Sequence, residues 1–197
     1  MILATGNRHK LAEMEELLPG VELRALPPGF EMPPEDGDSF EANALIKARA
    51  AHAATGETVL ADDSGIEAYD LGGAPGIYSA RYAGVDVGDE VNLAKLLREV
   101  DAAGGERRAA YVCALALIDR DGGERVFEAR CEGRLLRERR GSGGFGYDPA
   151  FVPDDTGPGD ERTMAELSAA EKNAISHRGH AARMLATHLG LVTEAPR

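Results

Sequence analysis

With 197 residues, 43% hydrophobic and 28% charged, the chain has room for one substantial core and the make-up of an ordinary globular domain. Its net charge of −12 argues against a nucleic-acid partner, which needs a basic face, but leaves room for one nucleotide held by local cations. No apolar run approaches a membrane span, and residues 1–18 lack a signal-peptide pattern. Cys113 and Cys131 lack metal-ligand spacing and read as reduced core residues of a cytoplasmic protein.

Met1 to Ala4 reads as a first strand. It runs through Thr5-Gly6-Asn7 into a helix with Leu11, Met14, Leu17 and Leu18 on one face, stopped by Pro19-Gly20. Val21 to Leu26 reads as a second strand and Pro27 to Gly37 as an acidic, proline-rich loop. A helix is expected from about Ser39 to Ala54, with Asp38 and Glu41 as its capping box. Thr58 to Ala61 reads as a short buried strand ending at Asp62-Asp63-Ser64-Gly65, followed by a glycine-rich loop to Gly84. Asp89 to Val100 is an amphipathic helix. Ala109 to Ile118 and Arg125 to Leu136 are paired long strands turning at 119–123. The 141–149 segment is a loop, and 153–160 is a polar excursion. Ser168 and Glu171 form a capping box for a short helix, and a last helix runs from about Gly179 to Leu189. The order is that of an α/β protein with a mixed sheet, in one domain with room for two lobes.

The chemistry-bearing residues lie at the ends of these elements. Asp62 and Asp63 after a buried strand suit a divalent cation and a phosphorylated substrate, since α/β folds bind ligands at strand ends. They also fit a polar turn with Asp63 and Ser64 as caps. Glu35 adds a third acid, and magnesium needs only one or two carboxylates beside phosphate oxygens and water. The Thr5-Gly6-Asn7-Arg8-His9-Lys10 turn offers helix N-terminal N–H groups to phosphate, or is an ordinary capped turn. Lys47 either snorkels to solvent or enters a cleft. Phe145-Gly146-Tyr147-Asp148 offers aromatic faces and an acceptor to a base, or anchors a buried loop. Lys172, His177 and Arg178 flank a helix break. Only four of the 22 basic residues are lysine, and Lys10, Lys47 and Lys172 lie in these segments. A nucleophilic Ser64 is disfavoured, because the nucleophile-elbow pattern is missing and neighbouring acids oppose an alkoxide.

Taken together, these segments resemble the inosine triphosphate pyrophosphatase family. The matching stretches are Thr5-Gly6-Asn7-x-x-Lys10, Phe40 to Lys47, Ala61 to Tyr82, Gly143 to Phe151, and Thr163 to Gly179. The resemblance implies a long twisted mixed sheet flanked by helices, with two lobes around a central cleft. It implies a homodimer and Mg²⁺ as cofactor. The implied reaction is hydrolysis of deaminated purine nucleoside triphosphates (ITP, dITP, XTP) to the monophosphate and pyrophosphate. Glu35 and Asp63 are then metal ligands, with Asp62 a further contributor, and Asp63 orients or deprotonates the water, unless the metal and base roles divide between Asp62 and Asp63. The Thr5 to Lys10 turn, Lys47, Lys172 and Ser64 hold phosphate, while Phe145, Asp148, His177 and Arg178 choose the base. One departure stands out. The family carries glutamate directly before the asparagine, whereas here Glu41 comes one place earlier and Ala42 precedes Asn43. A catalytically idle nucleotide-binding module and a metal-dependent phosphatase of smaller metabolites are the competing readings.

Overall fold

The computed structural model describes residues 1–191. Five strands, β1 (Ile2–Ala4), β2 (Val59–Ala68), β3 (Arg108–Ile118), β4 (Glu124–Leu135) and β5 (Phe151–Pro153), form one open sheet in the order β1-β2-β3-β4-β5. The sheet is mixed: β1 runs parallel to β2 with Ile2 opposite Val59, and β5 runs antiparallel to β4 with Leu135 opposite Phe151. The helices are α1 (Arg8–Leu17), α2 (Phe40–Thr55), α3 (Asp89–Ala103), α4 (Ala169–Ile175) and α5 (His177–His188).

The chain divides into two compact units. The first holds residues 1–63, 113–129 and 178 onward, and the second holds 64–112 and 130–177. In the first, Leu3, Leu60, Cys113 and Leu115 pack with Met14, Leu18, Ala182 and Leu185. In the second, Ile66, Leu93, Leu96 and Val100 pack with Leu135, Phe151 and Met164. Both cysteines are buried and free.

Four local expectations change. Val21 to Leu26 is not a strand: Arg24 makes a single parallel bridge to Ile2, through Leu3 N–H to Arg24 O and Arg24 N–H to Met1 O. Pro27 and Pro28 follow directly and have no N–H to extend the ladder. The strand carrying the acid pair does not end at Ala61 but continues to Ala68, so Asp62 and Asp63 lie inside β2. Its later half is held by backbone returning from residues 74–79. Ala68 N–H donates to Ala74 O, and Ile66 N–H donates to the Ser79 hydroxyl at 2.9 Å. The alternation of buried Ile66 and Ala68 was the signal for this extension.

The N-cap of α2 is Ser39 rather than Asp38; its side chain accepts from Ala42 N–H. The third helical residue is therefore Ala42, so Glu41 cannot close the expected box, which needs an acid at that position. The last helix starts at His177, because extended Ser176 ends α4 and leaves the next residue free to begin a new helix. The Ser168–Glu171 capping box is present at the start of α4.

Candidate active site

The first unit gathers charge around the acid pair. Successive strand residues point to opposite faces of a sheet, so neighbouring Asp62 and Asp63 meet different partners. Asp62 is almost wholly buried and takes Lys10 Nζ at 2.7 Å and Arg178 Nε at 3.3 Å. Arg178 also bonds Glu13, which lies one turn from Lys10 on α1. Burial opposes ionisation of Asp62, but Lys10, then Arg178 and Lys47, outweigh it and hold the carboxyl far below its ordinary range. Asp62 is a fixed carboxylate.

Asp63 faces Lys47. Lys47 Nζ donates to Asp63 Oδ1 at 2.9 Å and to Glu35 Oε1 at 2.8 Å, so the two acids converge on one ammonium. Here burial prevails over the attraction of Lys47, and the Asp63 carboxyl is pushed up. Its Oδ2 is buried and has no hydrogen-bond partner among the described residues. Beside Lys10, Thr5 is half-buried and Gly6 and Asn7 are exposed, and nothing lies within 4 Å of where a Gly6 Cβ would stand. Asn7 caps α1: its Oδ1 accepts from His9 N–H at 2.9 Å and Lys10 N–H at 3.3 Å.

The second unit gathers rings around Asp148. Asp148 Oδ2 accepts from Lys172 Nζ at 2.7 Å and Phe145 N–H at 3.0 Å, and its Oδ1 accepts from the Tyr111 hydroxyl at 3.0 Å. Gly144 has φ +67°, and a Cβ there would stand 2.0 Å from Asp148 Oδ2, so only glycine fits. Lys172 Nζ lies 5.1 Å from the Phe145 ring centroid. The His177 ring stacks on Tyr111, 4.7 Å between centroids and 7° from parallel. Burial, then Asp148, pushes the Tyr111 hydroxyl well above its ordinary pKa, so it stays a donor. Tyr147 is the buried anchor of the loop, donating to Ser79 O at 2.7 Å, while Phe145 and Gly146 are half-buried.

The Ham1 family model matches residues 1–188 of this sequence. The chain belongs to the Ham1 family. A dITP/XTP pyrophosphatase of Frankia alni is 50% identical over 199 residues, covering 96% of each chain. Among solved structures, a HAM1 protein from Coxiella burnetii is 41% identical with a TM-score of 0.86, covering 97% of this chain and 98% of its own. A nucleoside-triphosphatase / dITP/XTP pyrophosphatase from Mycobacterium abscessus is 46% identical with a TM-score of 0.75, covering 95% and 97%.

This Ham1 chain sorts the candidate residues differently from their order in the sequence. Arg178, expected beside the base loop, sits with Asp62 and Glu13. Lys172, expected among phosphate ligands, sits with Asp148 and Phe145. The Asp148 oxygens, expected to read a base, are taken up by three donors of the chain itself. Glu13, Tyr111 and Cys113 were not foreseen; Cys113 Sγ lies 3.8 Å from Asp62 Oδ2. Glu13 follows Lys10 at one-turn spacing, a visible signal, whereas Tyr111 and Cys113 are hidden in a uniformly buried strand. Ser64 is half-buried on β2, next to Asp63.

Proposed function

We propose that this protein hydrolyses deaminated purine nucleoside triphosphates, dITP, XTP and ITP, to the monophosphate and pyrophosphate. The activity is that named for its dITP/XTP pyrophosphatase relatives. The observation that carries the reading is the geometry of the adjacent carboxylate pair, Asp63 sharing Lys47 with Glu35 and Asp62 paired with Lys10 and Arg178; burial pushes the Asp63 carboxyl up while the cations hold Asp62 down. Titratable neighbours whose pKa values are driven apart mark acid–base roles.

In this reading Asp63 is the general base. Its spare Oδ2 takes a proton from the water that attacks the α-phosphorus, and pyrophosphate leaves. Asp62 takes no proton; it orients Lys10 and Arg178 toward the phosphates. Lys10, Lys47, Ser64 and the Thr5 to Arg8 turn with His9 serve the triphosphate, with Gly6 allowing close approach. Mg²⁺ is the proposed cofactor. Two convergent carboxylates fit a hard cation that takes few protein ligands. No group of three or more His, Cys, Asp or Glu side chains is gathered for a metal among the described residues, and magnesium needs none. Glu35 and Asp63 would hold it, and it would supply charge neutralisation of the triphosphate.

Base choice falls to Phe145, Gly146, Lys172 and His177, with Tyr147 and Asp148 shaping the loop. A 6-oxo purine accepts from Lys172 or His177, whereas adenine presents a second donor there. An unpaired buried donor costs about 1–3 kcal/mol. The idle-module reading rested on the displaced glutamate, and Glu35 keeps its place beside Lys47 regardless. We propose also that the enzyme acts as a cytoplasmic homodimer without nucleic-acid or membrane partners; light scattering tests the dimer. Incubation with dITP and Mg²⁺ should yield dIMP and pyrophosphate. Orthophosphate as the sole inorganic product, or intact dITP, would overturn the reading.

A further inference from the structure

Asn43 is fully buried near the start of α2, four residues before Lys47, so the two share a helix face. Its Oδ1 accepts the N–H of Gly37 at 2.9 Å. That bond ties α2 to the segment carrying Glu35, which has no helix or strand of its own between residues 31 and 37. The approach is close. A Cβ at Gly37 would stand 2.8 Å from both Asn43 Oδ1 and Ala42 Cβ, and 3.1 Å from Asn43 N. Alanine at 42, where the family resemblance would place a glutamate, therefore lies against this contact.

Asn43 Nδ2 is buried without a hydrogen-bond partner among the described residues. Such an atom carries a desolvation penalty of about 1–3 kcal/mol, which an apolar residue would avoid. The penalty is explained if the carbonyl half of the amide is needed. Aspartate could also accept from Gly37, but would add a third carboxylate on the face that carries Lys47. Asparagine supplies the acceptor without the charge.

We propose that Asn43 is a positioning residue for the acid–lysine cluster: by holding Gly37 N–H it docks the Glu35 segment on α2 and places Glu35 beside Lys47 and Asp63. This rests on the reading of Glu35 as a metal-holding acid. Outer groups that orient ligating carboxylates typically cost about 10- to 100-fold in metal affinity or activity when removed.

The test is a cycle of Asn43→Ala, Glu35→Gln and the double variant in the full-length protein. Mn²⁺ binding is followed by electron paramagnetic resonance without nucleotide, and kcat/KM is measured for dITP. Each single variant should weaken Mn²⁺ binding and lower kcat/KM by about 10- to 100-fold, and the double variant should fall little below Glu35→Gln alone, because Asn43 acts through Glu35. Losses that multiply, or an Asn43→Ala protein with wild-type Mn²⁺ binding, overturn the inference while leaving the metal reading standing. An inert Glu35→Gln overturns both. If Asn43→Ala fails to fold, Gly37→Ala reports the same contact from the loop side. It should weaken Mn²⁺ binding as much, and unchanged binding there counts against the inference.

Discussion

The clusters around Asp63 and around Asp148 are built from the same parts, a buried aspartate facing a buried lysine, yet they differ in what is left over. Both Asp148 oxygens are occupied, by Lys172, Tyr111 and Phe145 N–H, and its loop is fixed by them. Asp63 keeps one oxygen unpartnered among the described residues, and burial pushes its pKa up in spite of Lys47. A saturated carboxylate holds shape, while an unsaturated one is available for proton transfer or a cation. Asp62 differs again, although it adjoins Asp63 in the chain: each of its oxygens is ion-paired, to Lys10 and to Arg178.

The comparison is broken most severely at Asp62. Asp62→Asn leaves Lys10 and Arg178 without their shared anion, and stability should fall by about 3–5 kcal/mol, read from denaturant unfolding. Asp63→Asn should do the reverse. Its kcat should fall about 100-fold, equivalent to about 2.7 kcal/mol, with the unfolding midpoint near wild type. Wild-type turnover at saturating Mg²⁺ would remove Asp63 from the chemistry.

The next test separates the two clusters by substrate. Lys172→Ala should lower kcat/KM for dITP about 5- to 150-fold more than residual dATP hydrolysis, because it sits with the base-loop ring. Arg178→Ala should depress both substrates by the same factor, because it sits with the acid pair. A selective loss in Arg178→Ala would return that arginine to base recognition.

The smallest effect is at the start of α4, the helix that carries Lys172. Glu171 is held at about 2 by its bonds to Ser168 and Arg162. Its folded pKa lies below the unfolded value of about 4.3, so the stabilisation is full above that value and is lost as pH falls toward 2. The melting temperatures of wild type and Glu171→Ala should therefore differ at pH 6 and converge by about pH 2. A gap that persists to that pH would assign the effect to helix propensity.

Much of this was legible in the residues. Ser168-x-x-Glu171 announced its own helix because a capping box is a local event, with both bonds made within four residues. Lys47, Asp62 and Asp63 were found because charged groups in short apolar surroundings are visible in one dimension, and Lys10 because it closes a glycine-containing turn at a helix start. The partner of each charge was not. Arg178 is 116 residues from Asp62, and only packing of α5 brings them together. Tyr111 gave no signal, since a tyrosine in a buried strand looks like any other core ring until Asp148 and His177 are seen beside it. The cap of α2 was misassigned for a different reason. Asp38 and Ser39 are both good caps, and backbone geometry chooses between them.

The placing of Asp62 and Asp63 on consecutive residues of β2 makes the first unit intolerant of a change in chain length there. Inserting one residue between β1's partner Ala61 and the acid pair would turn each carboxylate to the opposite side of the sheet. Asp62 would then stand in the place of Asp63, on the Lys47 side, Asp63 would move on to the place of Ser64, and the inserted residue would face Lys10 and Arg178. Every side chain would be retained, but Lys10 and Arg178 would lose the anion that they share. Length variation in this protein belongs instead in the 119–123 turn, where the Asp119 side chain ties the hairpin end through Asp121 and Gly123 N–H.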